Sequence, residues 1–336
     1  MTEFFGIFFA VLLALLLAPH VQKYADTAWS GLSAIRFVQR NGVVISVYLV
    51  VAVIAWVVFM IVLPQIYMID FSFRYNLLPN QIGGPEDVYT LKNYRYLVFG
   101  REGDEELLNW LDLTVFVRSI VVSALVTLFD FALCYPIAYY MAQVAQGGKA
   151  RLLVLFLILP FWVNEILRAF AFRILLGTGG VINGVLIALG VVDTPIDFLK
   201  ADVGLYAGLS YAYILLMIFP IYNAIESLDH NQVEAARDLG SPWWRIHWRV
   251  VMPHAKPGIA SGCVMVFMLS AGALAVPQIL GGPSSLWFTQ KIYQWFNTGG
   301  NWPQGSAYAF VLLVACLVFV MGVMRAFKVS LGEIAK

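Results

Sequence analysis

Charged residues are scarce in this sequence. Only 12% of its 336 residues are Asp, Glu, Lys or Arg, whereas 61% are hydrophobic. A soluble globular chain carries about 25% charged and about 45–50% apolar residues, so the composition excludes a soluble globule. The formal net charge is +1 at pH 7, which gives no electrostatic reason to bind nucleic acid. We therefore expect the chain to contact a lipid bilayer and no nucleic acid.

Cysteine and histidine are also rare, and neither is placed for chemistry. Cys134, Cys263 and Cys316 all lie inside apolar runs, without Cys-x-x-Cys or Cys/His spacing, so packing is their expected role. No His-Glu-x-x-His motif is present, the four histidines lie outside the apolar runs, and the G-x-x-x-x-G-K-[ST] loop that cradles phosphates is absent. We expect no enzyme activity, resident metal or cofactor in this chain.

Long apolar segments are what the sequence has in abundance. A helix that spans a bilayer needs about 20 apolar residues, and six segments approach that length: 43–63, 114–142, 152–176, 204–225, 257–280 and 307–327. Another apolar run, at 4–18, has no basic residues before it and no clear cleavage site. It is interpreted as an extra N-terminal membrane helix, with an uncleaved or re-entrant segment as the alternative. We expect an all-α polytopic membrane protein in which residues 1–42 precede one core domain, 43–336.

Lys and Arg indicate the topology. They concentrate in the connections 19–42, 143–151 and 226–256 and near the C-terminus, which places these parts in the cytoplasm. The connections 64–112 and 177–203 are then extracytoplasmic. The first is rich in acids and long enough for a small structured element. The second contains an apolar run that is too short to span, and we expect a surface-lying or partly inserted helix there.

One compact polar stretch, EAARDLGSPWWRIHWRVVMP at 234–253, interrupts the apolar pattern. Asn231 is predicted to cap a helix, with Glu234 reaching back in a pair that resembles a capping box. Gly240 supplies the left-handed residue that ends a helix. The sequence therefore predicts a short helix followed by a sharp bend.

A second helix is predicted directly after the bend. Ser241 is the expected N-cap and Pro242 the first helical residue, and Met252-Pro253 is expected to stop this helix before the next membrane segment. A helix–bend–helix element with a shallow alanine surface is suited to docking into a groove on another protein. The alternative is an amphipathic helix that lies at the lipid headgroups.

The same residues carry a resemblance to a known family. Glu234-Ala235-Ala236, Gly240 and Val250-x-Met252-Pro253 resemble the EAA loop of ABC-importer permeases, E-A-A-x3-G-x9-I-x-L-P, with Val for Ile and Met for Leu. The stretch 160–199 and the shorter motifs Cys134-Tyr135-Pro136, LGG at 280–282 and NWPQGSA at 301–307 are similar to spermidine/putrescine-type permeases. The resemblance covers roughly residues 40–330 and implies a six-helix permease core, to which the helix at 4–18 is an addition.

This resemblance implies an inner-membrane transporter subunit with several partners. Two permease subunits form the pathway, and we expect the second to be a different chain. Two ATPase subunits bind the EAA loops and carry the ATP and Mg, and an extracytoplasmic binding protein delivers the solute. The residues expected to couple this chain to the ATPases are Glu234, Ala235, Ala236, Arg237, Gly240 and Pro253.

Candidate pathway residues come from the membrane segments. An ionisable side chain in a span is costly and is a functional candidate by default, and a cationic amine favours carboxylates and aromatic faces. The candidates are Asp130, Phe161, Trp162, Asn164, Glu165, Tyr211, Tyr213 and Gln278. In the alternative interpretation Asp130 pairs with Arg118 or Arg168 to hold helices together, and the aromatic residues only pack.

The resemblance implies a small organic cation such as spermidine or putrescine as the solute. Some polyamine permeases carry a glutamate near the end of the fifth helix, whereas this sequence has the neutral Gln278. A singly charged or zwitterionic solute fits that residue at least as well. A quaternary amine, an amino-acid-like compound, an opine or ferric ion therefore stays open. A channel or receptor without an ATPase is a remote alternative, favoured if deletion of 234–240 left flux intact.

Overall fold

A computed structural model describes residues 42–330, except for 79, 82, 101–107, 146, 283 and 284. Over these residues the chain is helical and contains no β-strand, which confirms the predicted all-α fold. The helix predicted at 4–18 lies outside the described residues, and so does nearly all of the connection 19–42. The boundary predicted between 42 and 43 therefore stays a prediction.

The longest connections between helices are 73–91, 100–109 and 189–202. The first half of the chain contains α1 (Val43–Val57), a π turn (Val58–Val62), α2 (Leu63–Ser72), α3 (Lys92–Phe99), α4 (Trp110–Tyr139) with a π turn (Tyr140–Val144), α5 (Gly148–Ile158) with a 3-10 turn (Leu159–Trp162), α6 (Glu165–Leu176) and α7 (Val181–Ala188). The second half contains α8 (Val203–Glu226), α9 (His230–Asp238), α10 (Trp243–Ile246) with a π turn (His247–Val251), α11 (Met252–Gly272), α12 (Ala275–Leu280), α13 (Phe288–Asn297) and α14 (Trp302–Phe327). Helix α3 is the structured element expected within 64–112.

Six helical stretches of the described chain are long and apolar enough to cross a membrane, as predicted. They are Val44–Ser72, Trp110–Val144, Glu165–Ala188, Val203–Glu226, Trp243–Gly272 and Trp302–Phe327. The third of these combines α6 with α7, so a surface position for the short apolar helix within 177–203 stays a prediction.

The predicted third segment, 152–176, is wrong as one continuous helix. The chain leaves the helical conformation after Trp162, and Val163 is extended. Pro160 has no N–H to donate within the helix, and Asn164 starts α6 by accepting a hydrogen bond from the Ile166 amide at 2.8 Å.

The predicted fifth segment, 257–280, is also divided. Helix α11 ends at Gly272, Ala273 is extended, and α12 follows. Because Pro277 has no N–H, the Ala273 carbonyl lacks its usual helical donor, and the Thr289 hydroxyl donates to it instead.

Helices α4, α8 and α11 form the main core. The α8 side chains Met217, Ile218 and Ile221 are completely buried against it. Gly258 of α11 lies so close to α8 that a side chain there would meet the Pro220 carbonyl oxygen. Small residues permit such close approach between helices in membranes.

The described part of the chain divides into two units, with the boundary between Asp70 and Phe71. All of the predicted site residues belong to the second unit, so their geometry is set by the core of α4, α8 and α11 and by the helices around it.

Candidate functional site

The polar stretch 229–253, called the coupling segment below, begins with α9. This helix starts at His230, and the Asp229 side chain caps it by accepting from the Asn231 amide at 3.0 Å. The predicted cap at Asn231 and its pair with Glu234 are therefore wrong, because the helix starts earlier than expected. Glu234 instead lies one turn after His230, and its Oε1 is 3.3 Å from His230 Nε2.

The predicted bend at Gly240 is confirmed. Gly240 has a φ of +74°, its amide donates to the Arg237 carbonyl at 2.8 Å, and the Ser241 amide donates to the Ala236 carbonyl at 3.1 Å. This pair of hydrogen bonds is the Schellman arrangement that closes a helix through a left-handed residue. The bend leaves Leu239 exposed over 86% of its surface.

The side chains of α9 divide between a buried and an exposed face. Val233 is completely buried, and Ala236 packs partly against the core. Glu234, Ala235 and Arg237 are exposed. Three of the predicted coupling residues, Glu234, Ala235 and Arg237, are thus exposed on α9, and the exposed Leu239 follows them at the bend.

The helix after the bend differs from the prediction at both ends. Pro242 rather than Ser241 occupies the N-cap position, and no side chain caps this end. Pro253 does not stop the helix, which runs without a break from Trp243 to Gly272. The π turn His247–Val251 directly precedes Met252-Pro253, and a changed hydrogen-bond pattern there accommodates a residue without an N–H.

The break between α5 and α6 carries the most polar part of the candidate pathway. Glu165 opens α6, and its Oε1 accepts a hydrogen bond from the Tyr213 hydroxyl of α8 at 3.0 Å. The Tyr213 side chain is buried, with 7% exposure. Measured from the basic connection 143–151, the break lies about 20 Å along the helix. The apolar helix Leu152–Trp162 precedes the break, and a candidate membrane span, Glu165–Ala188, follows it. Inside a bilayer, irregular backbone is tolerated only within protein or beside a water-filled cavity.

A cation and two aromatic rings adjoin this pair. The Arg168 guanidinium lies 5.4 Å from the Phe161 ring centroid and 5.7 Å from the Tyr211 ring centroid. Arg168 follows Glu165 by three residues, so both side chains lie on one face of α6. Its Nε is buried and has no hydrogen-bond partner among the described residues. The structure thus brings Phe161, Glu165, Tyr211 and Tyr213 together around Arg168.

The other pathway candidates lie apart from this cluster or have a local role. Asn164 caps α6, and Trp162 is 81% exposed on the 3-10 turn. Gln278 is exposed on α12, and the described residues show no interaction between it and Glu165. Their roles in transport stay predictions.

Asp130 is enclosed between α4 and α8. It has 0% exposure, and its Oδ1 accepts a hydrogen bond from the Ser210 hydroxyl. Neither arginine considered from the sequence is its partner, because Arg118 pairs with Asp202 and Arg168 packs on aromatic rings. The geometry therefore favours a role for Asp130 in holding α4 and α8 together. Its partner, Ser210, was not predicted from the sequence. Serine in an apolar run was the available signal.

Comparisons with known proteins agree with this geometry. Residues 109–328 match the family described as the inner membrane component of binding-protein-dependent transport systems. The chain belongs to this family. It is therefore a multi-pass permease component of a bacterial inner membrane, and the transporter interpretation from the EAA loop is confirmed.

Individual relatives extend the likeness. The chain is 34% identical over 274 residues to the spermidine/putrescine transport system permease protein PotB of Haemophilus influenzae, covering 81% of this chain and 91% of that relative. It is 33% identical over 105 residues to the permease protein PotC of the Escherichia coli spermidine/putrescine system, covering 31% and 39%. A bacterial alginate ABC transporter, solved in complex with an alginate pentasaccharide-bound periplasmic protein, has the same fold, with a TM-score of 0.66, 18% identity and coverage of 88% and 99%.

Proposed function

We propose that this permease takes up spermidine, putrescine or a similar organic cation, delivered by an extracytoplasmic binding protein and driven by ATP hydrolysis in partner subunits. Likeness to a spermidine/putrescine permease over 91% of that relative's length is the observation that carries the proposal. A quaternary amine is the second candidate, because the neutral Gln278 suits a singly charged solute at least as well as a polyamine.

The cluster at the α5–α6 break supports an amine as the solute. The Glu165 carboxylate, held by the Tyr213 hydroxyl, offers an acceptor to an ammonium group. Arg168 already occupies the space between the Phe161 and Tyr211 rings, which limits how much net negative charge the cluster presents. A solute with several separated amines would bind such a site through one ammonium group at a time, and this weak binding suits passage along a pathway.

The coupling segment supports an ATPase partner. Its exposed face presents Glu234, Ala235, Arg237 and Leu239, and this chain would bind no ATP or Mg itself. Coupling requires that this face interact differently with the open and closed states of the ATPase pair, because a partner that binds both states equally shifts no equilibrium. The flanking helices α8 and α11 then convert the movement into alternating access.

A second permease subunit completes the proposed pathway. The likeness to PotB covers 81% of this chain, whereas the likeness to PotC covers 31% of it. We therefore propose that its companion is a different chain of PotC type. Two ATPase subunits, one for each EAA loop, complete the assembly.

The test is the ATPase activity of the assembled complex in nanodiscs with its binding protein. Spermidine, putrescine, quaternary amines and amino acids are compared on the wild type and on Glu234→Ala. The matched control is Glu226→Ala, which removes an exposed acid that is hydrogen-bonded to Tyr222 of its own helix. We expect stimulation by polyamines, its loss in Glu234→Ala and its retention in Glu226→Ala. Stimulation only by another solute would refute the polyamine assignment, and a fully stimulated Glu234→Ala would refute the coupling role.

A further inference from the structure

His247 is buried in a part of the coupling segment whose other aromatic residues are exposed. It opens the π turn that joins α10 to α11 and has 5% exposure. Trp243, Trp244 and Trp248 around it are all exposed. The imidazole is therefore the polar group of this turn that points into the protein.

The imidazole contacts two successive turns of α4. Its Nδ1 lies 2.7 Å from the Tyr135 hydroxyl oxygen, within hydrogen-bond distance. Its ring centroid lies 4.4 Å from that of Tyr139, at an interplanar angle of 61°. Trp243 covers the ring from its own helix, with a centroid distance of 4.3 Å. One side chain of the coupling segment is thus fixed to the cytoplasmic end of α4.

The other end of the coupling segment is tied to the same region of α4. Gln143, in the π turn that follows α4, donates to the Ile225 and Leu228 carbonyls at 3.0 and 3.4 Å. Its Oε1 lies 2.9 Å from His230 Nδ1. The segment therefore contacts α4 and the turn after it at two places, His247 and His230, although the sequence connects the segment only to α8 and α11.

Packing alone does not account for a histidine at this position. His247 Nε2 is buried and has no hydrogen-bond partner among the described residues. A buried polar atom without a partner is unfavourable, whereas an apolar ring of similar size carries no such cost. The favourable property of the imidazole here is its hydrogen bond to Tyr135.

We propose that His247 is a positioning residue through which the coupling segment moves α4. The inference rests on the proposed function, in which ATPase closure displaces this segment. Pulling the segment then moves α4 through the His247–Tyr135 hydrogen bond, together with α8 and α11 through the chain itself. Because α4 packs against both of these helices in the core, its movement is needed for all three to change position together.

The test measures solute taken up per ATP hydrolysed in proteoliposomes of the assembled complex. His247→Phe and Tyr135→Phe each remove the hydrogen bond and keep a ring, and the double variant completes a cycle. Tyr140→Phe is the matched control, since Tyr140 is exposed and lies beside Tyr139. We expect each single variant to lower uptake per ATP by about fivefold or more, the lower end of typical coupling effects. The double variant should be no worse, because both changes remove the same bond.

Three further results decide between positioning and a merely structural role. Positioning predicts an unchanged amount of assembled complex and, in His247→Phe, a thermal midpoint that is not lowered, because this change removes the unpaired Nε2. It also predicts partial recovery in His247→Asn, whose amide can bond Tyr135. Uptake per ATP within twofold of wild type in both single variants would overturn the inference, and so would additive losses accompanied by loss of complex. Uptake is measured with whichever solute stimulates the wild type, so failure of the polyamine assignment changes the solute and not the comparison between variants.

Discussion

Gly258→Ala tests the close contact between α8 and α11 that flanks the coupling segment. A Cβ at Gly258 would lie 2.6 Å from the Ala224 Cβ, and closer still to the Pro220 carbonyl oxygen. Carbon atoms normally approach to about 3.5–4.0 Å, so the helices have to separate by about 1 Å. Since one of the obstructing atoms belongs to the backbone, a rotamer change cannot relieve the clash. Overpacking of this kind costs about 1–3 kcal/mol.

The assay is the thermal midpoint of the purified complex, followed by size-exclusion chromatography after heating. Gly272→Ala is the matched control on the same helix, because a Cβ there meets no atom within 4 Å. Alanine is the better helix former by about 1 kcal/mol, so we expect Gly272→Ala to be unchanged or stabilised and Gly258→Ala to melt earlier. Equal midpoints for the two variants would refute the close packing of α8 against α11.

Three further predictions concern the candidate sites. Glu165→Gln keeps an acceptor for Tyr213 but loses the charge. We expect kcat/KM for uptake of a polyamine to fall by about tenfold, which corresponds to about 1.4 kcal/mol. An unchanged kcat/KM in uptake kinetics would remove Glu165 from the pathway. Gly240→Ala forces a side chain into a left-handed conformation that costs about 1–2 kcal/mol, so stimulated ATPase activity should fall. The loss should be smaller in Gly240→Asn, because Asn adopts this conformation more readily. Equal losses in the two variants would contradict the requirement for a positive φ at this position. Asp130→Asn keeps an acceptor for Ser210, so uptake should stay within about twofold of wild type, as expected for a conservative change at a packing site. Abolition of uptake in this variant would place Asp130 in the pathway.

Much of the fold follows from the sequence because hydropathy reports the length of apolar segments directly. The number of membrane-length helices follows from hydropathy, but hydropathy does not report whether the helix within a segment is continuous. The break after Trp162 needed a different signal, and Pro160 followed by Asn164 supplied one. Similarly, Pro277 marks the interruption before α12.

The coupling segment was predictable where its geometry is local. Gly240 ends α9 because few other residues adopt its φ, so the bend follows from one position. The N-cap was misplaced by two residues because Asp229 and Asn231 both have capping side chains, and only the start of the helix decides between them.

Contacts between distant parts of the chain were not predictable. Tyr135 and His247 are 112 residues apart, and Asp130 and Ser210 are 80 residues apart. Each pair depends on how α4 packs in the core, which local patterns do not encode. The Glu165–Tyr213 pair was selected from residue types alone, and the structure adds that the two side chains meet.

The most direct test of the account is ATP-driven accumulation of labelled spermidine in proteoliposomes that contain the complete complex, with the binding protein added outside and ATP enclosed inside. The account predicts accumulation above the external concentration that requires ATP and is lost in Glu234→Ala. Equal accumulation without ATP, or accumulation of another solute and none of spermidine or putrescine, would contradict it.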